Sequence, residues 1–252
     1  MILDDVHETE VDEENYFVSM TDMMVGLVFI FIIMLMYFAL QFQNITQQMT
    51  GADAERTEIL KQLKASLDDK HVPVEIDTVN GVLRLSDAIL FDSGRADLKP
   101  EGRIAVGHLA EALAEVLPCY TDGSDLSVPK PSTCSNSPYR IESVYVEGHT
   151  DSNPLAANGA MQDNLDLSAF RATNTFRQLK RSHEELAALC SNEKGTCRAV
   201  LSVSGYGSAR PIAPGLSDVD MRRNRRIDLR LIMVTPDSKA AIQAVAKRVN
   251  GQ

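Results

Sequence analysis

The chain has 252 residues and a formal net charge of −10, from 35 acids against 25 bases, with no tryptophan and four cysteines. That length has room for one soluble domain plus membrane and linker segments. Eight of the acids fall in residues 1–22, which hold no Lys or Arg; the other 27 nearly balance the 25 bases, so a surface basic enough to hold nucleic acid is excluded.

Residues 1–15 read as an acidic cytoplasmic tail without periodicity, disordered unless a partner orders it. Residues 16–41 read as a single transmembrane helix. From Met23 to Leu40 there is no charge, and about 20 apolar residues at about 1.5 Å each cover the hydrocarbon core of a bilayer. The segment lacks the positive leader of a cleavable signal peptide, and its apolar run is long and starts late, so an uncleaved anchor is expected.

Asp22 is the informative residue of this span. A carboxylate at the edge of the hydrocarbon is costly, roughly 2.5–3.5 kcal/mol for Asp at a helix centre, and reads by default as an ion or proton site. The alternative is that Asp22 only marks the end of the span. Ser19, Asp22 and Gly26 are spaced i, i+3 and i+7 on one small, polar helix face. Such a face lets another helix approach closely, so a partner subunit is expected to close the site.

Residues 42–71 read as a periplasmic linker with a short amphipathic helix, striped by Ile59, Leu60, Leu63 and Leu67. The stripe is too narrow for a core of its own, so it is expected to pair with a second copy or lie on the membrane. Residues 72–252 read as the folded domain. An alternating run around Asn80-Gly81 predicts a hairpin. A helix with Ile104, Leu109, Leu113 and Leu117 on one face follows, ended by Pro118. Residues 118–140 predict a long surface loop. Strand SVYVEG, a helix from about Leu167 to Cys190, strand RAVLSVSGYG, a basic turn into a last strand, and a helix after Pro236 complete the pattern. Strands alternating with helices on a small sheet predict an α/β sandwich.

Cys119, Cys134, Cys190 and Cys197 fit no zinc spacing, and their even number fits disulfides. Three pairings are open. Local closure, Cys119 with Cys134 and Cys190 with Cys197, is preferred because each pair brackets a turn-rich segment. Disulfides require an oxidising compartment; four reduced, buried cysteines in a cytoplasmic domain are the alternative.

FDSGRADLKPEG, VEGHTDSNP, NLDLSAFRATN and NRRIDL, in that order within residues 82–234, resemble the OmpA-like peptidoglycan-binding domain shared by OmpA, Pal and MotB. The preceding single span with a lone acid narrows the resemblance to MotB-like subunits of ion-driven membrane motors. Within those, the acidic N-terminus and the SMTDMMVGLVFIFIIMLMYFAL span look most like the ZorB family of the Zorya anti-phage defence system. Flagellar MotB usually carries a basic tail, from which this chain departs.

The resemblance implies a fold of one N-terminal transmembrane helix plus the α/β sandwich of the OmpA-like domain. It implies a wall-anchored stator-type subunit, with a MotA-like multi-span partner (ZorA in the Zorya family) and a second copy of this chain. A flagellar stator and a passive wall tether are the alternatives. The wall ligand would be the free end of the stem-peptide diaminopimelate, an ammonium beside a carboxylate. Asp151 would accept from the ammonium and Arg171 would grip the carboxylate with two parallel hydrogen bonds. Thr150 and Asn164 would line the pocket, with Arg225 close by. Otherwise Asp151 and Asn164 only cap the loop and Arg171 pairs with Asp166.

His149, Asp151 and Ser152 lie too close along one loop for a triad, which is assembled from separate elements; no enzyme, metal or cofactor is expected, and His149 reads as a satisfied histidine at a strand end. The Arg222, Arg223, Arg225 and Arg226 cluster reads as a turn paired with Asp218, Asp220 and Asp228, with one Arg directed into the pocket. The transported ion is read as H+ ahead of Na+, a choice Ser19 and Thr21 leave open. Arg56 after the span weakly favours the C-terminal side inside. Wall binding and the cysteines outweigh it, so an inner-membrane protein with a periplasmic domain is expected.

Overall fold

A computed structural model describes residues 8–124, 134, 137–156, 161–193 and 196–234. Its contacts divide the chain into two units, Met1–Thr50 and Gly51–Gln252. In the first, the backbone is one helix, part of α1 (Glu8–Asp69). The helical backbone already includes Glu8–Glu14 of the expected tail. Every residue from Val18 to Leu40 is exposed. A continuous apolar surface of Met23, Leu27, Ile30, Met34 and Phe38 is not one that water tolerates. Among the described residues this is one helix long and apolar enough to cross a membrane, with a mean hydropathy of 2.7.

The second unit starts inside residues 42–71, assigned from sequence to a linker. Ile59, Leu60, Leu63 and Leu67 do not wait for a second copy or a membrane: all four are fully buried in the domain core. The stripe is narrow because the domain covers it from one side. Lys70 on Glu111 ties this helix end to the next long helix. His71, at φ 57°, then turns the chain, with Val72 N–H donating to Leu67 O and His71 N–H to Asp68 O, which closes the last carbonyls of α1.

The chain continues through β1 (Glu75–Asp77), β2 (Val82–Ser86), α2 (Asp87–Leu90), α3 (Pro100–Val116), β3 (Gly123–Ser124), β4 (Ile141–His149), α4 (Asn164–Ser182), β5 (Leu189–Glu193), β6 (Thr196–Ala199), β7 (Leu201–Gly205), α5 (Asp218–Asn224) and β8 (Arg226–Met233). The main sheet runs β1-β2-β8-β4-β7, antiparallel except for the β4–β7 pair. Alternation sets its two faces: Leu83, Leu85, Val144, Val146, Ile227, Leu229 and Leu231 join the core under α3 and α4, while Arg84, Glu147, His149, Arg226, Asp228 and Arg230 fall on the other face. This is the expected α/β sandwich.

The Asn80-Gly81 hairpin forms, with Asp77 Oδ1 accepting from Asn80 N–H inside the turn. In α3, Leu109 and Leu113 are buried with Ala105 and Val106, but Ile104 is 62% exposed and lies off the core face. α4 ends at Ser182, eight residues before Cys190. Cys190 instead lies in β5, part of a second small sheet, β3-β5-β6, that the sequence reading did not separate. Both disulfides form as expected, Cys119–Cys134 and Cys190–Cys197, with Cα separations of 5.2 and 5.3 Å. The expected helix after Pro236 and the ANG stretch at 157–159 lie outside the described residues.

Replacing Leu63 by Ala should destabilise the second unit by about 2–5 kcal/mol, as for other deleted core leucines. Urea unfolding of the full chain in neutral detergent, followed by circular dichroism, measures it. A loss below about 0.5 kcal/mol, the level of an ordinary surface change, would return this stretch to a linker.

Candidate functional site

Two glycines bring the strand ends and α4 together. A Cβ at Gly148, on β4, would collide with the carbonyl of Ser168, and one at Gly205, on β7, would lie 2.7 Å from the backbone of Ala169. No larger residue allows α4 to lie this close to the sheet. The helix N-terminus therefore sits beside the residues that leave β4, Thr150 and Asp151. Asp163 caps α4 by accepting from the N–H groups of Leu165 and Asp166. Asn164, the first helical residue, donates to Asp151 O at 3.3 Å and Asn153 O at 2.7 Å, so it fixes the loop.

Asp151 is buried. Its Oδ1 accepts from Asn153 N–H at 3.0 Å and its Oδ2 from Arg225 Nη1 at 2.5 Å. Thr150 donates its N–H to Gly207 O, while its buried hydroxyl has no hydrogen-bond partner among the described residues. Arg225 Nε lies 3.5 Å from Asp87 Oδ1, and Asp87 Oδ2 accepts from Arg171 Nη1 at 2.9 Å. Four charges of alternating sign thus run Asp151, Arg225, Asp87, Arg171. Burial pushes the Asp87 carboxyl up, against the pull of the Arg171 and Arg225 guanidinium groups. Burial also pulls Arg171 down, with Asp87 opposing it.

Arg171 is the most buried of these four side chains. Its side chain is 2% exposed, against 31% for Arg225. Beyond Asp87, Arg171 donates from Nε to Arg95 O at 2.9 Å and from Nη2 to Asp92 O at 3.2 Å, and it lies over the Phe91 ring. It does not pair with Asp166, which accepts from Gln162 N–H instead. Arg225 is the more exposed of the two guanidinium groups. Asp87 was missed; its signal was an acid between the β2 pattern and the apolar Ala88-Ile89-Leu90, where a charge without a partner would be costly.

On the far face of the sheet, Glu147, His149 and Asp228 place three potential ligand atoms within 4.8 Å of one another. Both carboxylates are already taken by cations. Arg230 grips Glu147 with two bonds of 2.9 Å, and Arg84 and Arg226 bind the two oxygens of Asp228 at 3.1 and 2.9 Å. A divalent cation would join three guanidinium groups, so this donor set does not fit a metal. His149 stacks on Tyr206, and its Nε2 is 3.9 Å from Glu147 and 3.6 Å from Asp228, too far for hydrogen bonds. It is thus not the satisfied histidine expected; burial lowers its pKa against the pull of Glu147 and Asp228.

The basic cluster is paired as expected in part: Arg226 pairs with Asp228, which also takes Arg84, and Arg225 reaches Asp151, while Asp220 accepts from Ser217 Oγ at the start of α5. Arg222 and Arg223 are exposed and have no ion pair or hydrogen bond among the described residues. In the first unit, Ser19, Asp22 and Gly26 share a face of α1, and all three are exposed.

The chain matches no family model. It is similar to Motility protein B of Bacillus subtilis (strain 168), 27% identical over 187 residues, which is 72% of this chain and 58% of that relative, less than two thirds of its length. Among solved structures it is similar to a putative MotB like protein from Desulfovibrio vulgaris, at 22% identity over 76% of this chain and 98% of that one, with a TM-score of 0.48. It is also similar to the periplasmic domain of Helicobacter pylori MotB, at 21% identity over 66% and 84%, TM-score 0.43. For the cell wall anchor of the T6SS from Pseudomonas aeruginosa the values are 20%, 72% and 99%, and 0.46.

Arg171→Ala leaves Asp87 buried with one fewer cation and should cost about 3–5 kcal/mol of stability in denaturant unfolding; a cost under 1 kcal/mol would contradict the anchoring role. A pH series tests the far face. Burial alone would raise the Glu147 carboxyl, but His149 and Arg230 hold it down to about 2, against 4.5 unfolded. Its stabilising contribution is therefore complete above pH 4.5 and is lost as the pH falls toward 2. Over that window the wild type should lose more stability than Glu147→Gln; parallel curves would refute the assignment.

Proposed function

We propose that this chain is a wall-anchored, MotB-like subunit of an ion-driven motor in the bacterial inner membrane, with its N-terminus cytoplasmic and its second unit periplasmic. The observation that carries the reading is the Asp151–Arg225 ion pair, a carboxylate and a reachable guanidinium set beside the unpartnered hydroxyl of Thr150. The likeness to Motility protein B, the two disulfides and the apolar α1 support it.

An ion pair of this kind is a template for a zwitterion. The free end of diaminopimelate offers an ammonium, which replaces the guanidinium at Asp151 Oδ2, and a carboxylate, which takes the released guanidinium of Arg225. Each buried charge exchanges one partner for another of the same sign, so binding leaves no carboxylate or guanidinium unpaired. Arg171 does not touch this ligand; it holds Asp87, the charge against which Arg225 is set, and through Asp92 and Arg95 it holds the neighbouring loop. Thr150 offers its hydroxyl, and Asn164 keeps the loop in place.

In the membrane, Asp22 carries the ion, with H+ read ahead of Na+. Protonation removes the desolvation cost of the carboxylate and weakens its hold on a donor in the surrounding helices; release on the other side restores both. Each elementary charge that crosses supplies about 2.3 kcal/mol per 100 mV. Because the wall holds the second unit, a MotA-like partner ring with several spans moves against it, and a second copy of this chain completes the stator. The acidic N-terminus favours the Zorya anti-phage setting, in which this chain is ZorB and the ring ZorA. The likeness to Motility protein B favours a flagellar stator as the second reading.

Asp22→Asn should abolish motor-dependent activity, scored as phage protection or swimming in a strain lacking the native gene, and leave affinity for wall fragments unchanged. Full activity in that variant would leave only a passive tether. Asp151→Ala should weaken binding of purified wall fragments by about 2–3 kcal/mol, about 30- to 150-fold, in calorimetry. Wild-type affinity in that variant would remove the pocket.

A further inference from the structure

Beside the Asp151 site, across Arg225, lies a second cleft of about 440 Å³ between β1, β2, α2 and α5. Five arginines line it, Arg84, Arg222, Arg223, Arg225 and Arg226, against a single acid, Glu75. Three are already paired: Arg84 with Asp228 and Asp77, Arg226 with Asp228, and Arg225 with Asp151 and Asp87. Arg222 and Arg223 form no ion pair among the described residues, neither with Asp218 nor with Asp220 of their own helix, the latter accepting from Ser217 Oγ. The rest of the wall includes Val74, Ile89, Ile212 and Val219. Like charges gathered over an apolar wall repel one another until an anion enters, and the wall selects anions that carry small apolar groups.

We propose that this cleft is a second subsite, for an acidic peptide with small apolar side chains that runs on from the zwitterion held at Asp151. It rests on the zwitterion reading of that site. Arg225 belongs to both sites: its Nη1 donates to Asp151 Oδ2 and the same side chain lines the cleft. A peptide whose terminal amino acid opens the Asp151–Arg225 pair therefore enters the cleft with its next residues. The wall stem peptide has the required chemistry, because the residues preceding the diaminopimelate are a glutamate with a free α-carboxylate and an alanine. The carboxylate falls to Arg222 and Arg223, and the methyl to Val74, Ile89 and Val219. Specificity for the wall peptide over the free amino acid thus resides in the cleft, and the ammonium and carboxylate of the diamino acid are read at Asp151 and Arg225.

The test is calorimetry on the full chain in neutral detergent with two probes, free meso-diaminopimelic acid and the tripeptide L-alanyl-γ-D-glutamyl-meso-diaminopimelic acid. The wild type should bind the tripeptide about tenfold more tightly than the free amino acid, the gain expected of one added charge-assisted contact. Arg222→Gln with Arg223→Gln, both exposed positions, should abolish that excess and leave affinity for the free amino acid unchanged. If the double variant keeps the excess, or the wild type shows none while binding the free amino acid, the subsite is refuted and the Asp151 site stands. Equal weakening of both probes would mean that the two arginines act only through Arg225, which also refutes it. Wild-type chain that binds neither probe would refute the Asp151 reading and this subsite together. Inorganic phosphate that displaces the tripeptide from the cleft at equal concentration would reassign it to a phosphate group.

Discussion

The buried pair of Arg171 and Asp87 is the constraint on which the rest of the site depends. A guanidinium and a carboxylate are taken out of water together, and each is tolerable only because the other is there. Arg171 comes from α4, Asp87 from α2, and the carbonyls of Asp92 and Arg95 from the loop between α2 and α3. One side chain therefore ties α4 to α2 and to the loop that directly follows it, 76 to 84 residues earlier in the chain. The second oxygen of Asp87 is what remains for Arg225, and Arg225 in turn reaches Asp151. Asp151 is poised for exchange because the charge three places along the series is not free to move.

The sheet serves the same end from the other side. β4 carries Gly148 toward α4 and Glu147 and His149 away from it, so the register that brings the helix against Thr150 and Asp151 also brings a set of charges to the far face. There, Arg84, Arg226 and Arg230 lock β2, β8 and β4 across Asp228 and Glu147. The strand ends that present the site are thus held by packing on one face and by ion pairs on the other.

Much of this could be read in the sequence where local chemistry decides the outcome. The Asn80-Gly81 turn, the alternation of the main strands and the two local disulfides depend on near neighbours, and they formed as expected. Asp151, Asn164, Thr150 and Arg225 do converge. What escaped depends on partners distant in sequence. The Ile59 to Leu67 stripe cannot show which surface will cover it, and Ile104 fits helical spacing yet lies on the wrong side of a curved core. The end of α4 was misplaced because nothing near Ser182 signals that Leu189–Glu193 will pair with β3 and β6. Sequence shows the charge of Arg171 but not its burial, and its partner Asp87 lies 84 residues away.

The central claim is that the wall ligand enters by exchanging partners within the Asp151–Arg225 pair while Arg171 stays on Asp87. A crystal structure of this chain with meso-diaminopimelic acid tests it most directly. The account predicts the ligand ammonium on Asp151, its carboxylate on Arg225, and the Arg171 to Asp87 contact intact. A ligand carboxylate seated on Arg171, with Asp87 displaced, would contradict it.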